Sequence, residues 1–157
     1  MTTLTYRPLR AGERAPVLEV FAGLSERSRR LRFLGSKPRL LETDIERLVD
    51  VGCCGRGAVV AIDAESGATV GLARYVRDEG THEAEVAFSV VDEWQGKGVG
   101  NRLVRELREL AREESIFRFR ALIARGNRPA VALMRGLGEV LMQRYEGSEL
   151  ELVVRLD

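Results

Sequence analysis

The strongest constraint on the fold is a change of hydrophobic period on either side of a glycine-rich loop. Before the loop, Thr69–Arg77 and residues 83–91 read as strands separated by the turn-prone Asp78-Glu79-Gly80. These connections are too short for crossover helices, so we expect antiparallel strands here. After the loop, residues 101–114 show the spacing of a helix with one buried face. The apolar residues of this stripe are Leu103, Val104, Leu107, Leu110 and Ala111.

The remaining elements predict an α/β fold with a mixed sheet. Further strands are expected over residues 4–9, 58–63, 117–124, 140–145 and 149–156. Further helices are expected over residues 12–24, 25–34, 42–51 and 127–137. Ser25 and Asn127 are predicted N-caps, and Gly138 is predicted to end the last helix. Because there is no repeat, low-complexity tract or linker, we expect residues 1–157 to form a single domain.

Charge and hydropathy exclude two classes of partner. The chain has 25 basic and 24 acidic residues, with a net charge of +1. Such a balance gives no whole-molecule attraction to nucleic acid or to acidic membranes. The longest apolar run, residues 58–62, is far too short to span a bilayer, and the N-terminus lacks the pattern of a signal peptide. We therefore expect a cytoplasmic protein with neither a nucleic-acid partner nor a membrane partner.

The cysteines and the histidine are interpreted as structural rather than chemical. Cys53 and Cys54 are adjacent, which rarely permits an unstrained disulfide, so we expect two free and buried thiols. His82 is the single histidine and is predicted to be a solvated turn residue. With one histidine and one cysteine pair there is no zinc pattern, and no metal is predicted.

The loop Gln95-Gly96-Lys97-Gly98-Val99-Gly100 predicts an anion site. Glycines at alternate positions let the backbone approach a ligand and turn its N–H groups toward a common point. The helix that starts near Gly98 adds free N–H groups and the positive end of its dipole, so a pyrophosphate is a natural occupant. The spacing fits neither the dinucleotide fingerprint nor the Walker loop. A glycine-rich turn without a ligand is the alternative interpretation.

At this loop the sequence resembles the GNAT superfamily of acyl-CoA N-acyltransferases, whose signature is Gln/Arg-x-x-Gly-x-Gly/Ala. Residues 95–100 match every specified position, and Trp94 precedes them. Residues 127–138 look like the later helix of the family. Residues 24–33 and 85–94 look like the GNAT domain of bacterial protein lysine acetyltransferases that act on acyl-CoA synthetases. The resemblance implies a mostly antiparallel central sheet flanked by helices, with acetyl-CoA as cosubstrate and an amine as acceptor.

The resemblance also implies where the cofactor lies. The backbone of residues 95–100 would hold the pyrophosphate of CoA, and Phe88, Ser89 and Val90 would lie along the pantetheine arm like an added strand. The N–H of Val90 is the candidate donor to the thioester carbonyl, a bond that strengthens as the carbonyl becomes an oxyanion. Asn127 would add a side-chain contact. The implied cofactor-binding residues are Phe88, Ser89, Val90, Gln95, Gly96, Lys97, Gly98, Val99, Gly100 and Asn127.

A lysine amine has a free pKa of roughly 10.4 and must lose a proton before it attacks. Glu85 lies ten positions before Gln95, where the lysine acetyltransferases carry their general base. Glu83 is on the same strand face and is the reserve candidate; for both, an exposed strand carboxylate is the alternative. Many GNAT enzymes carry a Tyr that protonates the leaving thiolate, but the matching position here is Met134, which has no proton to donate. The lysine acetyltransferase subgroup also lacks that Tyr.

Three functions remain open at this stage. The leading hypothesis is acetyl transfer from acetyl-CoA to a lysine on a protein, with a homodimer among the expected assemblies. The alternatives are acetylation of a small amine and a non-catalytic acyl-CoA-binding regulatory module. The basic run of Arg27, Arg29, Arg30 and Arg32 is interpreted as a solvated face, the alternative being a surface that steers an acidic protein or the CoA phosphate.

Overall fold

The computed structural model describes residues 3–157, which form one seven-stranded sheet with helices on both faces. The strands are β1 (Leu4–Pro8), β2 (Arg56–Asp63), β3 (Thr69–Arg77), β4 (Glu83–Val90), β5 (Arg118–Ala124), β6 (Val140–Glu146) and β7 (Glu149–Arg155). The helices are α1 (Arg14–Ala22), α2 (Glu26–Phe33), α3 (Glu42–Leu48), α4 (Val99–Glu113) and α5 (Arg128–Arg135), and a short 3₁₀ helix covers Asp92–Trp94.

The sheet is mixed and mostly antiparallel, as predicted. Its strand order is β1-β2-β3-β4-β5-β7-β6. Every neighbouring pair is antiparallel except β4 and β5, which are parallel. The parallel pair follows from the chain order, because α4 carries the chain from the end of β4 back to the start of β5. The predicted antiparallel connections from β2 to β4 are confirmed.

Two consecutive residues at the end of β4 show how the helices are divided between the faces. Gly23, just after α1, packs directly against the side chain of Val91. On the opposite face, Gly100 of α4 lies near the side chain of Val90. Successive residues of an extended chain point to opposite faces, so α1 and α4 cover opposite sides of the sheet. Both helices therefore reach the sheet at the end of β4.

The predicted helix caps are confirmed at the starts of two helices. Ser25 Oγ accepts a hydrogen bond from the N–H of Ser28 at 3.1 Å, and Asn127 Oδ1 accepts one from the N–H of Ala130 at 3.4 Å. Each bond satisfies one of the backbone donors that a helix leaves free in its first turn. These caps fix where α2 and α5 begin.

Three predicted helices are shorter than expected, and the predicted stop at Gly138 is wrong. The helices expected over residues 12–24, 42–51 and 127–137 cover Arg14–Ala22, Glu42–Leu48 and Arg128–Arg135. The last of these ends at Gly136, whose N–H donates to the carbonyl of Ala132. Gly138 instead packs against the backbone of β7, where an added Cβ would lie 1.9 Å from the carbonyl oxygen of Arg155. Glycine is therefore required there for close packing.

The predicted apolar face of α4 forms the centre of the core. Leu103, Val104, Leu107 and Ala111 are buried, and Leu110 is partly buried. Each buried leucine contributes roughly 1.5–3 kcal/mol relative to an exposed one. On the same side of the sheet, Tyr75 stacks on Phe119 with 6.3 Å between ring centroids, and its hydroxyl donates to Glu114, at the end of α4.

The prediction of buried cysteines is wrong. Cys53 and Cys54 are free thiols, as expected, but both are exposed in the turn that precedes β2. Cys54 has a φ of +62°, and Gly52 and Gly55 on either side also have positive φ. A turn this tight has no interior in which to bury a side chain, so both thiols face solvent.

His82 lies in an exposed turn, as predicted. Its Nδ1 is 2.9 Å from the carbonyl oxygen of Ser115, and its ring packs on Phe117 at 5.4 Å between centroids. Over residues 3–157, each helix is too short or too polar to cross a lipid bilayer.

Candidate active site

The site begins where two central strands separate. β4 and β5 pair at only three positions, Glu83 with Arg118, Ala84 with Phe119, and Glu85 with Arg120. Beyond Glu85, β4 continues to Val90 paired with β3 alone, while β5 continues paired with β7. The pairing partner of β4 is therefore missing on one side over its last five residues. A gap opens there between the two strands.

The backbone of β4 presents free hydrogen-bonding groups to this gap. The N–H of Val91 donates to the carbonyl of Val70 at 2.9 Å, and the carbonyl of Glu83 accepts from the N–H of Asp78 at 2.8 Å. Odd-numbered residues of β4 thus direct their backbone groups toward β3. Because these directions alternate along an antiparallel strand, the N–H groups of Phe88 and Val90 point into the gap. An extended ligand can bond there as an added strand.

The glycine loop lies at the open end of the gap. Gly96 and Gly98 have φ values of +74° and +84°, a conformation that disfavours other residues. A Cβ added at either position would meet nothing within 4 Å, so the space beside the loop is free. Gly98 is the N-cap of α4, and the N–H groups of residues 98–101 precede the first intrahelical bond, from Arg102 to Gly98. These donors and the helix dipole favour an anion.

Gly100 has a further role that the sequence interpretation did not include. It lies inside α4 without a positive φ, and a Cβ there would be 2.9 Å from Cδ1 of Leu133. Its missing side chain lets α4 pack closely on α5. The loop glycines therefore have different roles. Gly96 and Gly98 allow the turn, and Gly100 allows α5 to pack beside the cleft.

Together these elements line a cleft of about 440 Å³. The predicted cofactor residues that line it are Phe88, Ser89, Val90, Gln95, Gly96, Gly98, Val99, Gly100 and Asn127. Lys97 and Glu85 are not among the lining residues. The Nζ atom of Lys97 lies 5.2 Å from the ring centroid of Trp94, which itself lines the cleft. Glu85 lies at the far end of the gap, where β4 and β5 still pair.

The side chain of Gln95 connects three parts of the site. Its Nε2 donates to the carbonyl of Val90 at 2.9 Å and to Oγ of Ser28 at 3.2 Å. The first bond holds the end of β4, and the second holds α2 against the loop. The sequence interpretation assigned only the backbone of Gln95 to the site, so this side-chain contact was missed.

Helix α2 supplies one wall of the cleft, whereas the sequence interpretation favoured a solvated face for it and gave a steering surface only as the alternative. The lining residues from this segment are Leu24, Arg27, Ser28, Leu31 and Arg32. Their spacing is i, i+3, i+4, i+7 and i+8, which is one face of a helix. This spacing was the available signal, although the residues on it are both charged and apolar.

The basic run on α2 is therefore split between two environments. Arg30 pairs with Glu26 at 3.2 Å, and Arg29 packs its guanidinium 3.9 Å from the ring centroid of Phe21, so neither faces the cleft. Arg27 and Arg32 line it. The interpretation as a solvated face holds for Arg30 and is wrong for Arg32.

Asp92 fastens the start of α2 to the loop. Its Oδ1 accepts a hydrogen bond from the N–H of Ser25 at 3.0 Å. Burial alone would raise the pKa of Asp92, but the hydrogen bonds from Ser25 and Ser28 outweigh it and lower that pKa. Asp92 is thus held ionised at the base of the cleft wall.

The two candidate bases differ in how freely they face solvent. Glu85 is 49% exposed, with its Oε2 3.3 Å from Nη2 of Arg120. Glu83 is more enclosed, because it contacts both Arg118 at 3.2 Å and Arg120 at 3.5 Å. Glu85 is therefore the more accessible carboxylate. At about 3.3 Å per residue, it lies roughly 16 Å along the strand from Val90.

No side chain suited to donate a proton lines the cleft within residues 3–157. The ionisable lining residues there are Arg27 and Arg32, both guanidinium groups. Met134 is fully buried in the core and does not reach the cleft. In the same described part of the chain, no group of three or more His, Cys, Asp or Glu side chains could hold a metal ion.

Comparison with known proteins gives consistent matches. The model of the acetyltransferase (GNAT) family matches residues 27–139. The acetyltransferase PA5475 of Pseudomonas aeruginosa is 29% identical over 152 residues, which cover 96% of this chain and 81% of that protein. The crystal structure of the GNAT domain of S. lividans PAT is 26% identical with a TM-score of 0.83, and the match covers 96% of this chain and 89% of that one.

A further similar structure shares the fold. The cAMP-binding acyltransferase from Mycobacterium smegmatis is 23% identical with a TM-score of 0.67, and the match covers 100% of this chain but only 48% of that one. The family match includes both the glycine loop and the separated end of β4. This chain therefore belongs to the GNAT acetyltransferase family and is an acetyl-CoA-dependent N-acetyltransferase.

Proposed function

We propose that this enzyme transfers the acetyl group to the side-chain amine of a lysine on a protein. The observation that carries the proposal is the exposure of Glu85, the candidate base, at the surface where β4 and β5 separate. An acceptor can reach it as a side chain on a large partner, without entering a closed pocket. Two resemblances support the same acceptor: residues 24–33 and 85–94 are similar to lysine acetyltransferases, and the backbone is similar to the GNAT domain of S. lividans PAT.

Acetyl-CoA fits the cleft by the chemistry of its donors. The N–H groups of residues 98–101 would bind the pyrophosphate, and the open space beside Gly96 and Gly98 admits it. The backbone groups of Phe88 and Val90 would bond the pantetheine arm. The N–H of Val90 is assigned to the thioester carbonyl, where it stabilises the charge that develops on that oxygen during attack. Asn127 lines the same cleft and adds a side-chain contact.

The proton of the acceptor amine is assigned to Glu85. Because Glu85 lies roughly 16 Å along β4 from Val90, direct transfer from an amine at the thioester is out of reach. Intervening water carries the proton between them. Arg120 holds the carboxylate of Glu85 at this end of the strand. The leaving thiolate takes its proton from solvent, since the described cleft offers it no acidic side chain.

The test compares two single variants of the full chain, Glu85→Gln and Glu83→Gln. Release of CoA thiol is measured with a panel of lysine peptides at neutral pH. We expect Glu85→Gln to lower kcat by about 10²-fold to 10⁴-fold, the range for loss of a general base, while Glu83→Gln retains most activity. Acetyl-CoA affinity, measured by titration calorimetry, should be retained in both. Full turnover by Glu85→Gln would remove the base assignment.

The same assay separates the other two hypotheses. Thiol release with small amines but with no peptide would show a small-molecule acetyltransferase. Clear binding of acetyl-CoA without thiol release from any acceptor would show a regulatory module. A single-domain organisation over residues 1–157, a cytoplasmic location and a homodimer remain predictions from the sequence and its resemblance.

A further inference from the structure

Two arginines at the Glu85 end of the site have no carboxylate partner in the part of the chain that the structure describes. Arg32 on α2 lines the cleft, and its guanidinium packs on the neighbouring Phe33 ring at 4.6 Å. Arg74 on β3 donates from Nη2 to the carbonyl of Arg47 at 3.2 Å. The Nε of Arg74 is buried without a hydrogen-bond partner. Both cations therefore have unused donors.

These two side chains share one neighbourhood with the candidate base. Burial and, to a smaller extent, the charge of Arg74 lower the pKa of Arg32 to about 10, against the opposing charge of Glu85. Burial also lowers the pKa of Arg74, as does the charge of Arg47, while the charges of Asp50 and Glu85 raise that pKa. Both groups stay protonated at neutral pH. Two partly buried like charges are costly unless an anion compensates them.

The acidic groups nearest to them already have other partners. Glu85 contacts Arg120 at 3.3 Å, and Asp78 contacts the same guanidinium at 3.0 Å. Glu83 is held by Arg118 at 3.2 Å. Asp50, whose charge also acts on Arg74, contacts Arg56 at 3.2 Å. None of these carboxylates pairs with Arg32 or Arg74.

The anion that these arginines suit is distinct from the pyrophosphate of CoA. The phosphate donors lie in the loop beyond Val90, whereas Arg74 lies opposite Ala87, roughly 10 Å back along β4 from Val90. Arg32 and Arg74 both feel the charge of Glu85. The body of a large acceptor lies over that end of the site while its amine reaches the thioester near Val90. A guanidinium bonds a carboxylate through two parallel N–H groups, which fixes both its position and its orientation.

We propose that the acceptor carries a carboxylate close to its reactive amine and that Arg32 and Arg74 bind this carboxylate. The inference rests on the proposed function, and for a protein acceptor it means an Asp or Glu side chain beside the target lysine. The carboxylate fills the unused donors of the two arginines while the lysine side chain extends along β4 toward the thioester. Acidic neighbours of the lysine thus determine which sites are acetylated.

The experiment uses a matched pair of peptides that contain one lysine each. In one peptide the residues beside the lysine are Glu, and in the other they are Gln. We expect the full-length enzyme to acetylate the Glu peptide with about tenfold higher kcat/KM. Arg32→Gln and Arg74→Gln should each bring this ratio close to one. Arg30→Gln, on the same helix but outside the cleft, should keep it.

The outcomes separate the inference from the proposed function. Equal kcat/KM of the unaltered enzyme on the two peptides overturns the carboxylate inference and leaves lysine acetylation intact. This comparison needs no variant, so it holds even if Arg74→Gln fails to fold. Acetylation of neither peptide overturns the proposed function and the inference with it. If both Arg32→Gln and Arg74→Gln still prefer the Glu peptide, other residues recognise the carboxylate, and this result also contradicts the inference.

Discussion

Gln95 donates from its side-chain Nε2 to the backbone carbonyl of Val90 at 2.9 Å. This bond joins the first residue of the glycine loop to the last residue of the preceding strand, β4, and so fixes the end of that strand. The N–H of Val90 belongs to the same strand end and points into the gap between β4 and β5. The glutamine of the family signature thus positions the backbone donor that is assigned to the thioester.

We predict that Gln95→Ala weakens acetyl-CoA binding without unfolding the protein. The loss of one hydrogen bond of about 1 kcal/mol corresponds to a roughly fivefold higher Kd. Titration calorimetry measures this directly. The control is Gln143→Ala on β6, which removes an exposed glutamine that bonds Arg135 away from the cleft. An unchanged Kd in Gln95→Ala would mean that acetyl-CoA binding does not depend on the hydrogen bond from Gln95 to Val90.

Gly98→Val is predicted to raise the Kd for acetyl-CoA more than tenfold. A branched side chain at φ +84° strains the turn by about 1–2 kcal/mol and occupies the free space beside the loop. Gly67→Val is the matched control, because Gly67 has a φ of +76°, equally free surroundings and a position outside the cleft. Both variants should lose similar stability in thermal unfolding, and only the first should lose binding. Retained affinity in Gly98→Val contradicts the anion site.

The pair of Arg7 and Glu13 is predicted to make stability depend on acid pH. Two hydrogen bonds from Arg7, at 2.9 and 2.6 Å, lower the pKa of Glu13 from its ordinary 4.5 to about 2. A lowered folded-state pKa means that the contribution is complete above about pH 4.5 and is lost as the pH falls toward 2. Since the pair lies near the surface, we expect about 1 kcal/mol at pH 7.

Urea unfolding of Glu13→Gln against the unaltered chain measures this contribution. The difference in unfolding free energy should be largest at neutral pH and should shrink between pH 4.5 and the acid limit of the folded state. Glu65→Gln, in an exposed turn, serves as the control. A difference that stays constant across this range contradicts the assignment to the Arg7 pair.

Gly138→Ala is predicted to destabilise the protein by about 1–3 kcal/mol, the usual effect of overpacking. The added Cβ would lie 1.9 Å from the carbonyl oxygen of Arg155, and a backbone atom within β7 cannot move away cheaply. Gly35→Ala is the control, because nothing lies within 4 Å of a Cβ there. Chemical unfolding of the two variants should separate them clearly. Equal stability would show that β7 shifts readily.

The sequence predicted those features that depend on neighbours along the chain. The strand Thr69–Arg77 was predicted with the bounds that the structure has, because turn residues flank it on both sides. The caps at Ser25 and Asn127 likewise depend on residues three positions away. The glycine loop was recognisable because its glycines stand at alternate positions between a predicted strand and a predicted helix.

Features that depend on distant contacts could not be predicted in this way. The need for glycine at position 138 arises from Arg155, on another strand. Arg27 and Arg32 line the cleft while Arg29 and Arg30 do not, because only one side of α2 faces the cleft. The charges of these residues do not show which side that is. The unpaired state of Arg32 depends on Arg120, which occupies the nearby carboxylates from β5. The identity of the acceptor also cannot be predicted from local sequence patterns.

The three residue pairs between β4 and β5 have a mechanical consequence. They form a narrow seam between two otherwise separate halves of the sheet, β1–β4 and β5–β7. A coenzyme seated along Phe88 and Val90 would extend that seam with its own amide groups. The coenzyme would then act as a temporary eighth strand. The junction between β4 and β5 would become more rigid when the coenzyme binds and more flexible when it leaves.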